Sequence, residues 1–320
     1  MYVSSSNPWG SKFIYCLKRG YKMAKKINKK ILVSLDQSEP SMEAVRYVAG
    51  VPAFRNYQVY LLHIFRGVSP EYYDMGSHAG YETKVSDVKL WELQERRKAE
   101  KFMADAVGIL TRVGFLASNV ETLIQNREKG IAEDVLRKAM KGFEAVAVGR
   151  KSMSTLRNIV MGSVAAKLVE RLTEIPIFLV GKAVNTKRFL IAFDGSDNSM
   201  RIVDYLGSAL GRESKVILLH VIRGSDKEHL KAAENFITPL LGQARTKLVE
   251  YGMPSENISV NLIKGVSNRS GTIVSEAGVH HCGTILVGRR GLSKVQEFFM
   301  GSVSNKVVQL ARNMTVGIIN

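Results

Sequence analysis

Cysteine is nearly missing from this 320-residue chain: only Cys16 and Cys282 occur. A disulfide framework is therefore excluded, which fits a reducing cytoplasm. No apolar run approaches the roughly 18 to 20 residues that a membrane span requires, so no transmembrane segment is expected. The basic N-terminal stretch lacks a clean apolar core and a small-residue cleavage site, which argues against a secretory leader. Gly-x-x-x-x-Gly-Lys-Ser/Thr is also missing, and the Asp194-Gly195-Ser196-Asp197-Asn198-Ser199 run lacks the leading Ser-Gly-Gly of adenylating pyrophosphatases. His280-His281 and Cys282 look metal-like but have no second ligand cluster, so no metal site is expected.

Acidic residues are scarce in one place. The net charge is +17, and residues 1 to 30 supply +8 of it with no acid at all. The other 290 residues carry +9, interspersed as on an ordinary globular surface. Nucleic-acid binding as the main role is therefore disfavoured, since charge alone attracts phosphate without sequence preference. Residues 1–24 are expected to be a basic, disordered extension, with Met23-Ala24-Lys25-Lys26 just ahead of the first strand.

What the chain does contain is one unit written twice. Lys30-Ile31-Leu32-Val33-Ser34-Leu35-Asp36-Gln37-Ser38 returns 158 positions later as Arg188-Phe189-Leu190-Ile191-Ala192-Phe193-Asp194-Gly195-Ser196. The run from Val59 to Gly67 returns at Val216 to Gly224, and Ala147-Val148-Gly149-Arg150 returns at Leu286-Val287-Gly288-Arg289. Strands are expected near 31–36, 58–65, 119–125, 144–149 and 176–181, and again near 188–194, 215–222, 258–264, 283–288 and 315–319. Helices are expected between them, in the first copy near 40–50, 86–114, 130–141 and 162–173. The strands are almost continuous apolar runs, as in a parallel sheet covered on both faces. This predicts two α/β domains, 25–183 and 187–320, each a five-stranded, doubly wound, Rossmann-like parallel sheet of order 3-2-1-4-5. Residues 68–83 form a long polar insertion in the first copy only.

Ligands of such sheets bind beyond the carboxyl ends of the strands. Three repeated features converge there: an acid after strand one (Asp36, Asp194), the end of strand two (Ile64, Val221), and a glycine turn after strand four. In the second copy that turn is Gly288, Gly291, then nine residues to Gly301-Ser302, followed by a helical pattern. Turn N–H groups and a helix N-terminus suit an oxyanion, so this is a candidate phosphate cradle. Arg289 stands beside it and could pair with phosphate oxygens or point elsewhere. The first copy keeps Gly149, Gly162 and Ser163 but places Ser152 where the second glycine belongs. His63 and His220 are read as packed strand residues rather than ligands or bases.

Both copies resemble the universal stress protein family, and its tandem-domain members in particular, over about residues 25 to 320. The ATP-binding members carry Gly, two residues, Gly, nine residues, then Gly and Ser or Thr, which Gly288, Gly291, Gly301 and Ser302 match without a gap. The resemblance implies a stress or signalling protein that binds ATP, with Mg²⁺ or Mn²⁺ on its phosphates. Asp194 would lie near ribose and base, the Val221 backbone at the adenine edge, and the glycines with Ser302 around the phosphates. It also implies an intramolecular pseudo-dimer with the two last strands meeting, and further pairing of whole chains. A slow ATPase and a nucleotide-independent scaffold remain alternatives; no residue presents itself as catalytic.

Overall fold

The computed structural model describes residues 29–67, 82–150, 161–182, 184–289 and 300–320. The basic extension, residues 68–81 of the polar insertion, and the positions of Ser152, Arg290 and Gly291 lie outside these residues. In the first half the order is β1 (Lys30–Leu35), α1 (Glu39–Gly50), β2 (Gln58–Phe65), α2 (Glu82–Arg112), β3 (Val120–Asn126), α3 (Ile131–Ala139), β4 (Ala145–Gly149), α4 (Ser163–Arg171) and β5 (Ile177–Val180). The second half repeats it as β6 (Arg188–Ala192), α5 (Asp197–Tyr205), β7 (Lys215–Arg223), α6 (Lys227–Glu250), β8 (Ile258–Val266), α7 (Arg269–Val279), β9 (Thr284–Gly288), α8 (Ser302–Leu310) and β10 (Thr315–Ile319).

The ten strands form one sheet, β3-β2-β1-β4-β5-β10-β9-β6-β7-β8. Each half thus has the expected 3-2-1-4-5 order and is parallel throughout. Among the described residues the only antiparallel pairing is the seam, where Val316 faces Leu179, Gly317 faces Phe178 and Ile318 faces Ile177. The two halves therefore pack as a pseudo-dimer through their last strands.

Strand side chains alternate between faces, so Ile31, Val33 and Leu35 enter one core while Leu32 enters the other. Both cores run unbroken across the seam. On one face Tyr47 and Phe178 of the first half share a cluster with Phe189 and Ile191 of the second. On the other, Leu168 and Leu179 share one with Ile285 and Val307. A continuous core of this kind holds the halves in one arrangement.

The first helix of each half starts where its sequence offers a cap. Ser38 accepts from the Ser41 N–H ahead of α1, with Pro40 in the first turn. Ser196 accepts from the Ser199 N–H ahead of α5. These caps fix where the chain turns away from the carboxyl edge of the sheet. One boundary differs from expectation: α2 begins at Glu82 rather than near residue 86.

Candidate functional site

Strand-one residues come first. Asp36 and Asp194 stand just beyond β1 and β6, and each binds the serine two residues on. Asp194 Oδ1 accepts from Ser196 N at 3.0 Å and from Ser196 Oγ at 2.5 Å. Asp36 Oδ1 accepts from Ser38 N at 3.1 Å and from Ser38 Oγ at 2.5 Å. Part of each carboxylate is thus committed to shaping the turn that leads into the helix.

In the second half a cleft of about 510 Å³ opens at the carboxyl ends of β6, β7 and β9, a size that suits a small-molecule ligand. Asp194, Val221, Gly288, Gly301 and Ser302 all line it. Val221 is buried, so its backbone rather than its side chain is what a ligand could address. Gly301 is the N-cap of α8 and makes no side-chain cap bond. Its N–H donates instead to the Arg289 carbonyl at 2.7 Å, which joins the start of α8 to the end of β9. Ser304 Oγ donates to the Gly288 carbonyl at 2.7 Å and ties the first turn of α8 to the end of β9. The open first turn of α8 therefore faces the cleft with N–H groups that no side chain caps.

Arg289 requires a correction, because it does not line the cleft. It is buried at 6% exposure. Its guanidinium crosses to the first half, donating from Nη1 to the Val169 carbonyl at 2.5 Å and from Nη2 to the Leu172 carbonyl at 2.7 Å. A side chain adjoining a glycine turn can face either way, and here the carbonyls ending α4 hold it. Arg289 is thus unavailable to steady charge on a phosphoryl group.

Other residues line the cleft that were not expected there: Arg223, Asn268, Arg269 and Lys306. The first three lie at the ends of β7 and β8 and at the start of α7, where Asn268 caps by accepting from the Gly271 N–H at 3.1 Å. Asn268 and Arg269 have no clear counterpart in the first copy, and so escaped a search for shared residues. His220 also lines the cleft, against the expectation of a purely packed residue. Its Nδ1 lies 2.7 Å from the Phe193 carbonyl. That oxygen can only accept, so the proton sits on Nδ1 and Nε2 is left as an acceptor. Burial holds the imidazole below its usual range; the Phe193 bond and Asp194 oppose this, and Arg269 adds to it.

The first-half candidates occupy the matching edge. Asp36 is exposed after β1, Ile64 is buried at 4% exposure near the end of β2, and Gly149 ends β4. Gly162 is the N-cap of α4 and Ser163 its first residue, again without a side-chain cap bond. Gly149 also has a packing reason to lack a side chain, since a Cβ there would lie 2.1 Å from the Pro40 carbonyl oxygen.

Elsewhere, His280 Nε2 sits 3.1 Å from Asn261 Nδ2. Cys282 is buried, which pushes its thiol up to about 11. Among the described residues no three His, Cys, Asp or Glu side chains cluster as metal ligands. No helix among them is long and apolar enough to cross a membrane.

Fold and cleft define a tandem, doubly wound α/β protein with an oxyanion-suited pocket at a sheet edge. The sequence matches the model of the universal stress protein family twice, over residues 28–180 and 185–316. The chain belongs to that family, as a tandem member. It is 30% identical over 142 residues to the universal stress protein YxiE of Bacillus subtilis (strain 168), spanning 39% of this chain and 93% of that protein. In fold it is similar to a universal stress protein from Archaeoglobus fulgidus DSM 4304, at TM-score 0.61 and 15% identity, over 91% of this chain and 98% of that one. A putative universal stress protein from Pseudomonas aeruginosa UCBPP-PA14 aligns at TM-score 0.54 and 13% identity, over 91% and 92%.

Proposed function

We propose that the protein binds an adenine nucleotide, ATP in the first instance, in the cleft of its second half, and serves in the cytoplasm as a nucleotide-responsive stress or signalling protein. The observation that supports this most is the convergence of Asp194, Val221, Gly288, Gly301 and Ser302 on one cleft. These residues come from three separate stretches of sequence. The division of labour follows their chemistry. Backbone groups at Val221 read a base edge, the Asp194 carboxylate accepts from ribose hydroxyls, and the turn and the α8 N-terminus take the phosphates. Lys306 on α8 adds a positive charge close to the phosphate end. Any Mg²⁺ or Mn²⁺ is carried in on the phosphate oxygens. Binding biases the protein toward whichever arrangement of the glycine loop contacts the phosphates better, and a partner protein would read that bias.

The test is direct. Purified protein is denatured and the released small molecules are identified, and titration calorimetry of nucleotide-free protein is run with ATP, AMP and GTP. Binding of ATP or AMP in preference to GTP is expected. Protein that releases no adenine nucleotide and gives no heat with any of the three overturns the proposal.

A further inference from the structure

The two halves differ at the residue that follows the strand-one acid. In the second half it is Gly195, at φ +79°. In the first it is Gln37, held at φ 64°, a backbone region that residues with a Cβ seldom adopt. Both halves turn the same way there, but only the first half carries a side chain through the turn. That side chain has a definite destination: Gln37 Nε2 lies 3.3 Å from His63 Nε2.

His63 is the counterpart of His220, and both rings are fixed alike. His63 Nδ1 lies 2.9 Å from the Leu35 carbonyl, as His220 Nδ1 lies 2.7 Å from that of Phe193. In each neutral ring the proton is on Nδ1 and Nε2 accepts. The Gln37 amide therefore donates to His63. At His220, where residue 195 is glycine, the ring instead lines the cleft. His63 is 7% exposed, whereas His220 is only partly buried. A strained residue kept in place by one hydrogen bond to a would-be ligand-facing ring invites a functional explanation.

We infer that the Gln37 carboxamide is a built-in occupant of the first half's site, and that this residue, set against Gly195, decides which half takes nucleotide. The inference rests on the nucleotide-binding proposal above. A primary carboxamide offers N–H donors on a planar group, as the amino edge of an adenine does. On His63 it fills the acceptor that, on His220, is left for a donor of the ligand's base. The first half is then shut by its own side chain, and the second is open because glycine places nothing there.

The experiment is a count of bound nucleotide by equilibrium dialysis with radiolabelled ATP, on the full chain and on Gln37→Gly. Glycine suits a positive φ, so the variant keeps the turn; Gln37→Ala serves as a second variant that removes the carboxamide but retains Cβ. Near-saturating ATP is expected to fill about one site per wild-type chain and about two per chain of either variant. Wild-type and variants that all bind one equivalent overturn the inference while leaving the nucleotide proposal standing. Wild-type that already binds two also overturns it. Wild-type that binds none while the variants bind one supports the inference and removes the second-half assignment, and no binding by any of them removes both.

Discussion

Arg150 and Arg289 cross the seam in opposite directions, each ending on the last helix of the other half. Each follows the glycine that closes the fourth strand of its half. Each N–H joins the neighbouring last strand, Arg150 to the Val180 carbonyl at 2.8 Å and Arg289 to that of Ile319 at 2.9 Å. Arg150 Nη1 donates to the Ala311 carbonyl at 2.9 Å, at the end of α8, as Arg289 donates at the end of α4. Cations at helix C-termini are favoured by the macrodipole. The pair is unequal, however. Arg289 Nε donates to Asn320 Oδ1 at 2.5 Å, but Arg150 Nε and Nη2 are buried without partners among the described residues. The reason is Gly181, which stands where Asn320 stands in the second half. A Cβ at 181 would lie 2.7 Å from the Arg312 and Met314 carbonyl oxygens, so no amide can be placed there.

This inequality predicts different costs for the same substitution. Arg289→Met removes several charge-assisted bonds and strands the α4 carbonyls, and should lower stability by about 2–4 kcal/mol. Arg150→Met gives up one bond but relieves two unpartnered buried nitrogens, and should cost about 1 kcal/mol or less. Burial already pushes Arg150 down to about 10, so it remains charged at neutral pH and its desolvation is a standing cost. Urea denaturation of the two variants measures the difference, and a larger loss for Arg150→Met would contradict the account.

A second inequality lies in the shared core. Tyr47 on α1 and Thr284 on β9 hydrogen-bond across the halves at 3.0 Å. Tyr205 is the counterpart of Tyr47, but the counterpart of Thr284 is Ala145, which offers no hydroxyl. The Tyr205 hydroxyl is accordingly buried without a partner among the described residues. Tyr205→Phe should raise stability by about 1 kcal/mol, and Tyr47→Phe should lower it by a similar amount. Matched thermal and urea unfolding would show it; a Tyr205→Phe protein less stable than wild type would refute the assignment.

Much of this architecture could be read from the sequence because both faces of a parallel sheet are covered. Runs such as Lys30 to Leu35 and their repeat at Arg188 are therefore apolar throughout, and their duplication gives two copies of one topology, whereas the pairing of the last strands was implied by the family resemblance. The cleft was legible where its residues recur in both halves, as at Asp194 and Val221. It was not legible where only one half uses a position, as at Arg269. The direction of a side chain escaped too. Arg289 adjoins the glycine turn and could have faced phosphate or the domain interface, because adjacency in sequence does not say which side of the strand end a long side chain takes. The contrast between Gln37 and Gly195 was visible in the aligned repeats; its meaning depended on the position of His63.

The seam itself is open to test at Gly317. A Cβ there would approach Leu286 Cδ2 to 2.5 Å and Phe178 Cε1 to 3.0 Å. Both neighbours are fully buried. Gly317→Ala should therefore destabilise the protein by about 1–3 kcal/mol, despite alanine's smaller backbone entropy loss. Chemical denaturation measures this, and limited proteolysis should show faster cleavage. An unchanged midpoint would mean that the seam is looser than the register indicates.

Asp194 and Asp36 allow structural and ligand-binding duties to be separated. Their turn-forming bonds are nearly identical, so Asp194→Asn and Asp36→Asn should cost similar stability, about 0.5–1 kcal/mol each, as a charge-assisted acceptor becomes a neutral one. Only Asp194 lies in the open cleft. If its carboxylate accepts from ribose, Asp194→Asn should weaken ATP binding about tenfold, the equivalent of about 1.4 kcal/mol, whereas Asp36→Asn should leave affinity unchanged. Calorimetry paired with urea unfolding on both variants measures the two quantities independently. Equal stability losses with equal, unaltered affinities would reduce Asp194 to a turn former and move recognition of the sugar to other groups in the cleft.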